Sequence, residues 1–232
     1  MIGNTNAIIK AGSGNNIEFN ILNAVLAGSL TREKNVFSNF SSSNYIKIPK
    51  YNRVTDDKIL NIQLLSQSRN STDLGTADSF EIVVKIKSTQ IVTSGRNPIF
   101  GQETSNYTPQ LELNLNTNTI NFVYSVNGSS WTYNINGTYQ LAVNTWYYIK
   151  YFYTGTKIGY VLYDEAMTEL ETIERDETRK TYTGTIVFTL GKDDDSGFKG
   201  EIDLEGIYIK LNNQMWWKPV YKLQFDEINS YI

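Results

Sequence analysis

The sequence predicts an all-β chain folded as an antiparallel two-sheet sandwich, and three observations carry that reading. Short runs alternate apolar and polar residues with a period of two. Turn signals built on Asn and Gly separate those runs, and helical signals are scarce. Strands this short, recurring with turns between them, indicate a sandwich or jelly roll rather than a parallel sheet. At 232 residues one large all-β domain with a single core is an ordinary outcome.

Residues 1–35 differ in texture from the rest. They are small and polar, with Gly12, Gly14, Asn15 and Asn16 close together, and they are expected to form an N-terminal arm or attachment segment. The alternative is that residues 17–30 add an edge strand or short helix to the main core. The modest helical candidates are residues 21–30 and 164–175, the second reading equally well as a loop beside a strand. A domain is expected over residues 36–232. Within it Phe80, Ile82, Val84 and Ile86 alternate with Glu81, Val83, Lys85 and Lys87, as a half-buried antiparallel strand requires. Leu111, Leu113 and Leu115 alternate likewise, and after the turn at residues 116–118 Ile120, Phe122, Tyr124 and Val126 resume, which predicts a hairpin.

Two Asn-Gly pairs follow, Asn127-Gly128 and Asn136-Gly137, the dipeptide that supplies the positive φ angles of tight hairpin turns. Trp131, Tyr133 and Ile135 lie in phase between them. Residues 145–153 form the next strand, with Trp146 expected in the core. A turn at Thr154-Gly155, a strand over 158–163 and another over 185–190 lead to the acidic loop Asp193-Asp194-Asp195-Ser196-Gly197. In residues 198–217, FKGEIDLEGIYIKLNNQMWW, Phe198, Ile202 and Leu204 alternate with charged residues. Glu205-Gly206 shifts the phase by one, and Ile207, Ile209 and Leu211 resume on odd positions. This predicts a strand, a Gly-assisted bulge and a second stretch of the same ribbon.

Composition excludes several chemistries. Net charge is −3 and basic residues form no run beyond the pair Arg179-Lys180, which argues against a nucleic-acid partner. Cys and His are both absent, removing disulfides, thiol nucleophiles, Ser-His-Asp and Cys-His catalysis, and His-ligated metals. The N-terminus has no basic region followed by an apolar core, so no signal peptide is expected. No run approaches the roughly 18 apolar residues of a membrane span, so no membrane insertion is expected either.

Four strand motifs carry a resemblance. SNYIKIPK (residues 43–50) resembles the opening strand of a laminin G-like, concanavalin A-like jelly roll, and SFEIVVKIK (79–87) its next core strand. NTWYYIKYFYTGTKIGYVLYD (144–164) resembles the family's Trp strand, turn and partner strand. Residues 198–217 are similar to the closing strands of such domains in bacteriophage tail, baseplate and fibre proteins. The likeness covers roughly residues 37–217. It implies a two-sheet sandwich whose concave face and edge loops often bind glycans, and a virion protein from a tail, baseplate, fibre or capsid surface. The expected partners are host surface glycans, other virion proteins and further copies of the chain. Location in the virion after synthesis in the bacterial cytoplasm is the matching expectation.

Site candidates follow, each beside its structural alternative. Glu201, Asp203 and Glu205 resemble the E-x-D-x-E signature of glucanases on this jelly roll. Residues four apart on a strand are separated by roughly 13 Å at Cα, while retaining hydrolysis needs carboxyls about 5–5.5 Å apart. Those glucanases also surround the motif with Trp-rich segments and place core strands after it, whereas few residues follow Glu205 and Leu204 departs from the pattern. The ladder is therefore expected to be a solvated strand face, and the chain no enzyme; a glycan hydrolase using the ladder is the lesser alternative. Asp193, Asp194 and Asp195 form an oxygen-rich turn of the kind calcium favours, and calcium is the one cofactor considered; the alternative is a solvated acidic turn. Trp131, with Tyr133, Asn134 and Asn136, has the chemistry of a sugar site, an aromatic platform with polar groups to fix hydroxyls. The alternative is that Trp131 faces the core in phase with Tyr133 and Ile135. Trp216 and Trp217 are expected at a protein interface. A purely structural assembly role is the alternative to glycan recognition.

Overall fold

The computed structural model describes residues 8–10, 16–21, 25–33, 35–48, 77–102, 109–182, 188–193, 195–218 and 221–225, and these form strands and turns only. In chain order the strands are β1 (Ile8–Lys10), β2 (Asn16–Ile21), β3 (Val25–Ala27), β4 (Thr31–Glu33), β5 (Val36–Ser38), β6 (Tyr45–Ile48) and β7 (Phe80–Ser88). There follow β8 (Pro98–Gln102), β9 (Gln110–Leu113), β10 (Thr119–Tyr124), β11 (Tyr133–Gln140), β12 (Trp146–Tyr153), β13 (Lys157–Asp164) and β14 (Glu169–Asp176). The last are β15 (Phe188–Leu190), β16 (Lys192–Asp193), β17 (Ser196–Gly197), β18 (Gly200–Leu211), β19 (Gln214–Trp217) and β20 (Tyr221–Phe225).

Two large antiparallel sheets dominate. One has seven strands in the order β11-β10-β9-β8-β15-β6-β3. The other runs β14-β13-β12-β7-β18-β5-β4, with β19 also paired to β18. The alternation read in the sequence builds the core between them. From the eight-stranded sheet Ile82, Val84, Ile86, Ile149, Tyr151, Tyr160, Leu162 and Ile202 point inward, and from the seven-stranded sheet Ile99, Phe100, Leu111, Ile120, Phe122 and Tyr124 meet them. Tyr151 is fully buried, and its ring lies 5.6 Å from Phe80, 5.6 Å from Phe100 and 5.9 Å from Phe122. Its hydroxyl donates to the Val123 carbonyl at 3.0 Å. A tyrosine of one sheet thus satisfies its polar atom on the backbone of the other, as a buried phenol must.

Several local expectations are corrected. The helical candidates at 21–30 and 164–175 contain strands instead, β3 in the first and β14 in the second. In the second, Met167 takes a positive φ of 65° and closes the turn before β14. Within residues 1–35, β3 joins the seven-stranded sheet and β4 the eight-stranded one. Ahead of them β1 and β2 form a separate three-stranded sheet with β20, in which Ile17 pairs with Phe225 and Ile21 with Tyr221. Gly128 keeps its expected positive φ of 74° in the loop from β10 to β11. Asn136-Gly137, however, is not a turn: it lies inside β11.

Gly137 is required there for space. A Cβ at that position would lie 2.0 Å from the Tyr160 hydroxyl and 2.6 Å from Glu171 Oε2. This close approach binds the edges of the two sheets, β11 and β14. The Glu171 carboxylate accepts hydrogen bonds from Thr138 N and Oγ1 at 2.7 Å, from Tyr139 N at 3.0 Å and from the Tyr160 hydroxyl. Burial pushes the Glu171 carboxyl up, but these donors outweigh it and hold the pKa below the ordinary glutamate value. The phase shift at Glu205-Gly206 is also present, with Gly206 at φ 83°. It is larger than a one-residue bulge, since pairing with β7 jumps from Asp203↔Lys85 to Tyr208↔Val83.

Candidate functional site

Alternation that sends one set of side chains into the core sends the other set outward, and in the eight-stranded sheet the outward set is ordered across strands. Glu201 of β18 pairs with Lys87 of β7, which pairs with Trp146 of β12. One step along, Asp203 pairs with Lys85, Lys85 with Tyr148, and Tyr148 with Tyr163 of β13. Each row therefore reads carboxylate, ammonium, aromatic ring, and two such rows lie side by side.

The rows are held by contacts as well as register. Lys87 Nζ is 2.8 Å from Glu201 Oε2, and Lys85 Nζ is 3.1 Å from Asp203 Oδ2 and 3.6 Å from Glu165 Oε1. The same two ammoniums lie 5.0 and 5.2 Å from the centre of the Trp146 ring, within cation–π range, and Lys85 is 5.4 Å from the Tyr148 ring. Burial works against the Lys85 ammonium, but the hydrogen bond and charge of Asp203 more than offset it, and its pKa stands above the ordinary lysine value. Beyond the bulge Tyr208 donates to Glu81, and Lys210 lies 3.4 Å from the same carboxylate. Burial and the Glu81 carboxylate both raise the Tyr208 pKa. The result is a half-buried face of aromatic rings bordered by neutralised ion pairs, able to stack against a ring and to exchange hydrogen bonds with hydroxyls.

This placement settles where each sequence candidate stands. Glu201 and Asp203 share the outer face, each with its lysine. Glu205 leaves the column, being exposed at the bulge with its backbone N–H donated to Asp203 Oδ1 at 2.9 Å. The three carboxylates are not a continuous ladder. Trp146 is corrected from core to outer face: Tyr147, Ile149, Tyr151 and Tyr153 take the inward phase of β12 and leave Trp146, Tyr148, Lys150 and Phe152 half-buried outside. The signal was present in that alternation, but an apolar strand hides its phase.

The four sugar-site candidates do not converge. Tyr133 packs against the core, its ring 6.5 Å from Tyr124 and its hydroxyl donated to the Asp176 carbonyl. Asn134 and Asn136 project from the opposite side of β11, where both accept from the Asn121 amide at 2.7 and 2.5 Å. Trp131 is half-buried in the loop before β11. The acidic turn is likewise divided. Asp193 is buried, 2.5 Å from Arg96 Nη1, and accepts from Gln110 Nε2 at 3.0 Å. Asp195 is exposed and accepts from Ser196, while Asp194 lies outside the described residues. Among the described residues no group of three or more carboxylates could hold a metal ion. Trp216 and Trp217 stand in β19 beside β18, and their side chains lie outside the described residues.

Comparison with known proteins agrees on architecture. No protein-family model matches the chain, and no curated protein matches its sequence. Among solved structures, the chain is similar to the binding domain of botulinum neurotoxin DC in complex with SialylT, at 13% identity and a TM-score of 0.51, covering 94% of this chain and 47% of that one. It thus spans about half the length of that neurotoxin domain. Domain 4 of AbnA, an arabinanase from Geobacillus stearothermophilus, aligns at 16% identity over 87% of this chain and 73% of its own, with a TM-score of 0.42. Mouse laminin α1 domains LG4-5 align at 12% identity over 64% and 41%, with a TM-score of 0.40. The chain is an all-β, antiparallel two-sheet jelly-roll sandwich.

Proposed function

We propose that this chain is a bacteriophage virion protein, from the tail, baseplate, fibre or capsid surface, whose jelly roll binds host-surface glycans without catalysis. The observation that carries the binding reading is the pair of carboxylate–ammonium–aromatic rows ending on Trp146 and Tyr148. A sugar ring offers C–H groups to an aromatic face and hydroxyls to charged neighbours, and this surface supplies both. The virion setting rests on the likeness of the closing strands to phage jelly-roll domains. The similar neurotoxin binding domain was solved in complex with SialylT, which accords with a binding role. Against hydrolysis stand the lysine partner of each outer carboxylate and the departure of Glu205 from the column. Weak binding per site would be multiplied by display in many copies.

An array of bacterial surface polysaccharides, probed with the multimerised protein, tests this. The wild type should bind a subset, and Trp146→Ala should weaken that binding about tenfold, the loss of one aromatic stacking contact. Unchanged binding by the variant, or release of reducing ends from the bound polysaccharide that Glu201→Gln abolishes, contradicts it.

A further inference from the structure

At the end of the sandwich away from Trp146, Tyr182 forms a second aromatic surface. It keeps 38% of its area exposed, yet its ring is seated rather than free. A Cβ at Gly128 would lie 2.4–2.7 Å from the Tyr182 ring atoms Cε1, Cδ1 and Cζ, so the ring rests on the bare glycine backbone. The Tyr182 N–H donates to the Ser125 carbonyl at 2.7 Å, anchoring the residue to the same loop.

That loop is fixed by its own hydrogen bonds. Asn127 Oδ1 accepts from Ser129 N at 3.0 Å and Ser130 N at 3.1 Å, and Ser125 Oγ accepts from Gly128 N at 3.0 Å. Asn127, Ser129 and Ser130 are exposed in the same loop, where Asn127 Nδ2 donates to Ser130 Oγ at 3.2 Å. The nearby Arg179 is held by both oxygens of Glu177 at 2.9 and 2.8 Å, which cancels its charge locally. An aromatic ring fixed on one side, bordered by amide and hydroxyl groups with no net charge, fits one neutral sugar residue and spares the ordering cost a mobile loop would add.

We infer that Tyr182, seated on Gly128 and flanked by Asn127, Ser129 and Ser130, is a second contact for a polysaccharide chain, taking a neutral pyranose unit. This rests on the glycan-binding reading and extends it. Trp146 begins β12, and the Tyr153 ring at its other end lies 6.1 Å from that of Tyr124, the residue before the Ser125 carbonyl that accepts from Tyr182 N–H. Trp146 and Tyr153, at the two ends of β12, are roughly 23 Å apart along the strand, so the two surfaces stand toward opposite ends of it. A single sugar cannot touch both.

The test compares wild type, Tyr182→Ala, Tyr182→Phe and Trp146→Ala on the same array of purified bacterial surface polysaccharides, with thermal unfolding to confirm that each variant folds. Tyr182→Ala should weaken binding about tenfold, and Tyr182→Phe should stay within about twofold because the ring, not the hydroxyl, makes the contact. If Trp146→Ala loses binding while Tyr182→Ala does not, this inference fails and the sheet-face reading stands. The opposite pattern keeps the second contact and overturns the sheet-face site. A loss in Tyr182→Phe equal to that in Tyr182→Ala overturns ring stacking, and no binding by the wild type overturns both readings.

Discussion

Glu171 shows how much one side chain can hold. Its carboxylate gathers two backbone N–H groups and a hydroxyl from β11 with the Tyr160 hydroxyl of β13, so it ties the open edges of both sheets. Because its pKa is lowered in the folded protein, its contribution is fully present above the ordinary glutamate value and is lost as pH falls through the folded value. Acid, not alkali, should loosen this edge. Glu171→Gln should cost about 1–2 kcal/mol near neutral pH, since the site is partly open to solvent. The difference from wild type should shrink below the folded pKa, as urea unfolding at a series of pH values would show. At this scale the sequence was only partly legible. Glu171 stands among Glu169, Glu174 and Asp176, and nothing local marks it as the one that meets β11. Asp193 is the same lesson reversed: it reads as part of a solvated acidic turn, but Arg96, nearly a hundred positions earlier, draws it inside.

Among the elements, alternation located most of the strands, and errors arose where a residue type has two uses. Gly in Asn136-Gly137 was read as a source of positive φ, whereas β11 needs its missing side chain. The two roles separate experimentally. Gly137→Ala in an extended strand incurs no φ penalty, so any destabilisation comes from the clash with Tyr160 and Glu171. We expect a loss of roughly 1–3 kcal/mol, with faster amide exchange confined first to β11 and β14. A turn glycine would instead disturb β10 and the loop ahead of it. The phase of β12 is hard to read, because WYYIKYFY is apolar on both faces but for Lys150. Lys150 shares the Trp146 phase within the strand, and pairing with β7 brings Lys87 and Lys85 onto the same face.

For the whole molecule, the sandwich was legible because its evidence is repeated in every strand, while the order of strands was not. The pairing of β6 with β15, or of β2 with β20, joins segments far apart in sequence, and short-range pattern carries no trace of such partners. The candidate face is a product of that order, since its rows exist only where β18, β7 and β12 lie side by side. One consequence concerns the speed of encounter rather than its strength. On this face Lys85, Lys87 and Lys210 are matched by Asp203, Glu201 and Glu81, and the charge of Lys150 is set against the exposed Glu165 and Glu205, so its charges nearly balance and it projects little field into solvent. Nothing steers a ligand toward it from a distance, and capture should proceed at the unassisted rate for a neutral surface, about 10⁵–10⁶ M⁻¹s⁻¹. Association with a bound polysaccharide, followed by surface plasmon resonance, should then change less than about twofold between dilute buffer and 0.5 M NaCl, where a steered surface would slow severalfold or more. A surface so balanced would be reached equally fast in fresh and in salt water.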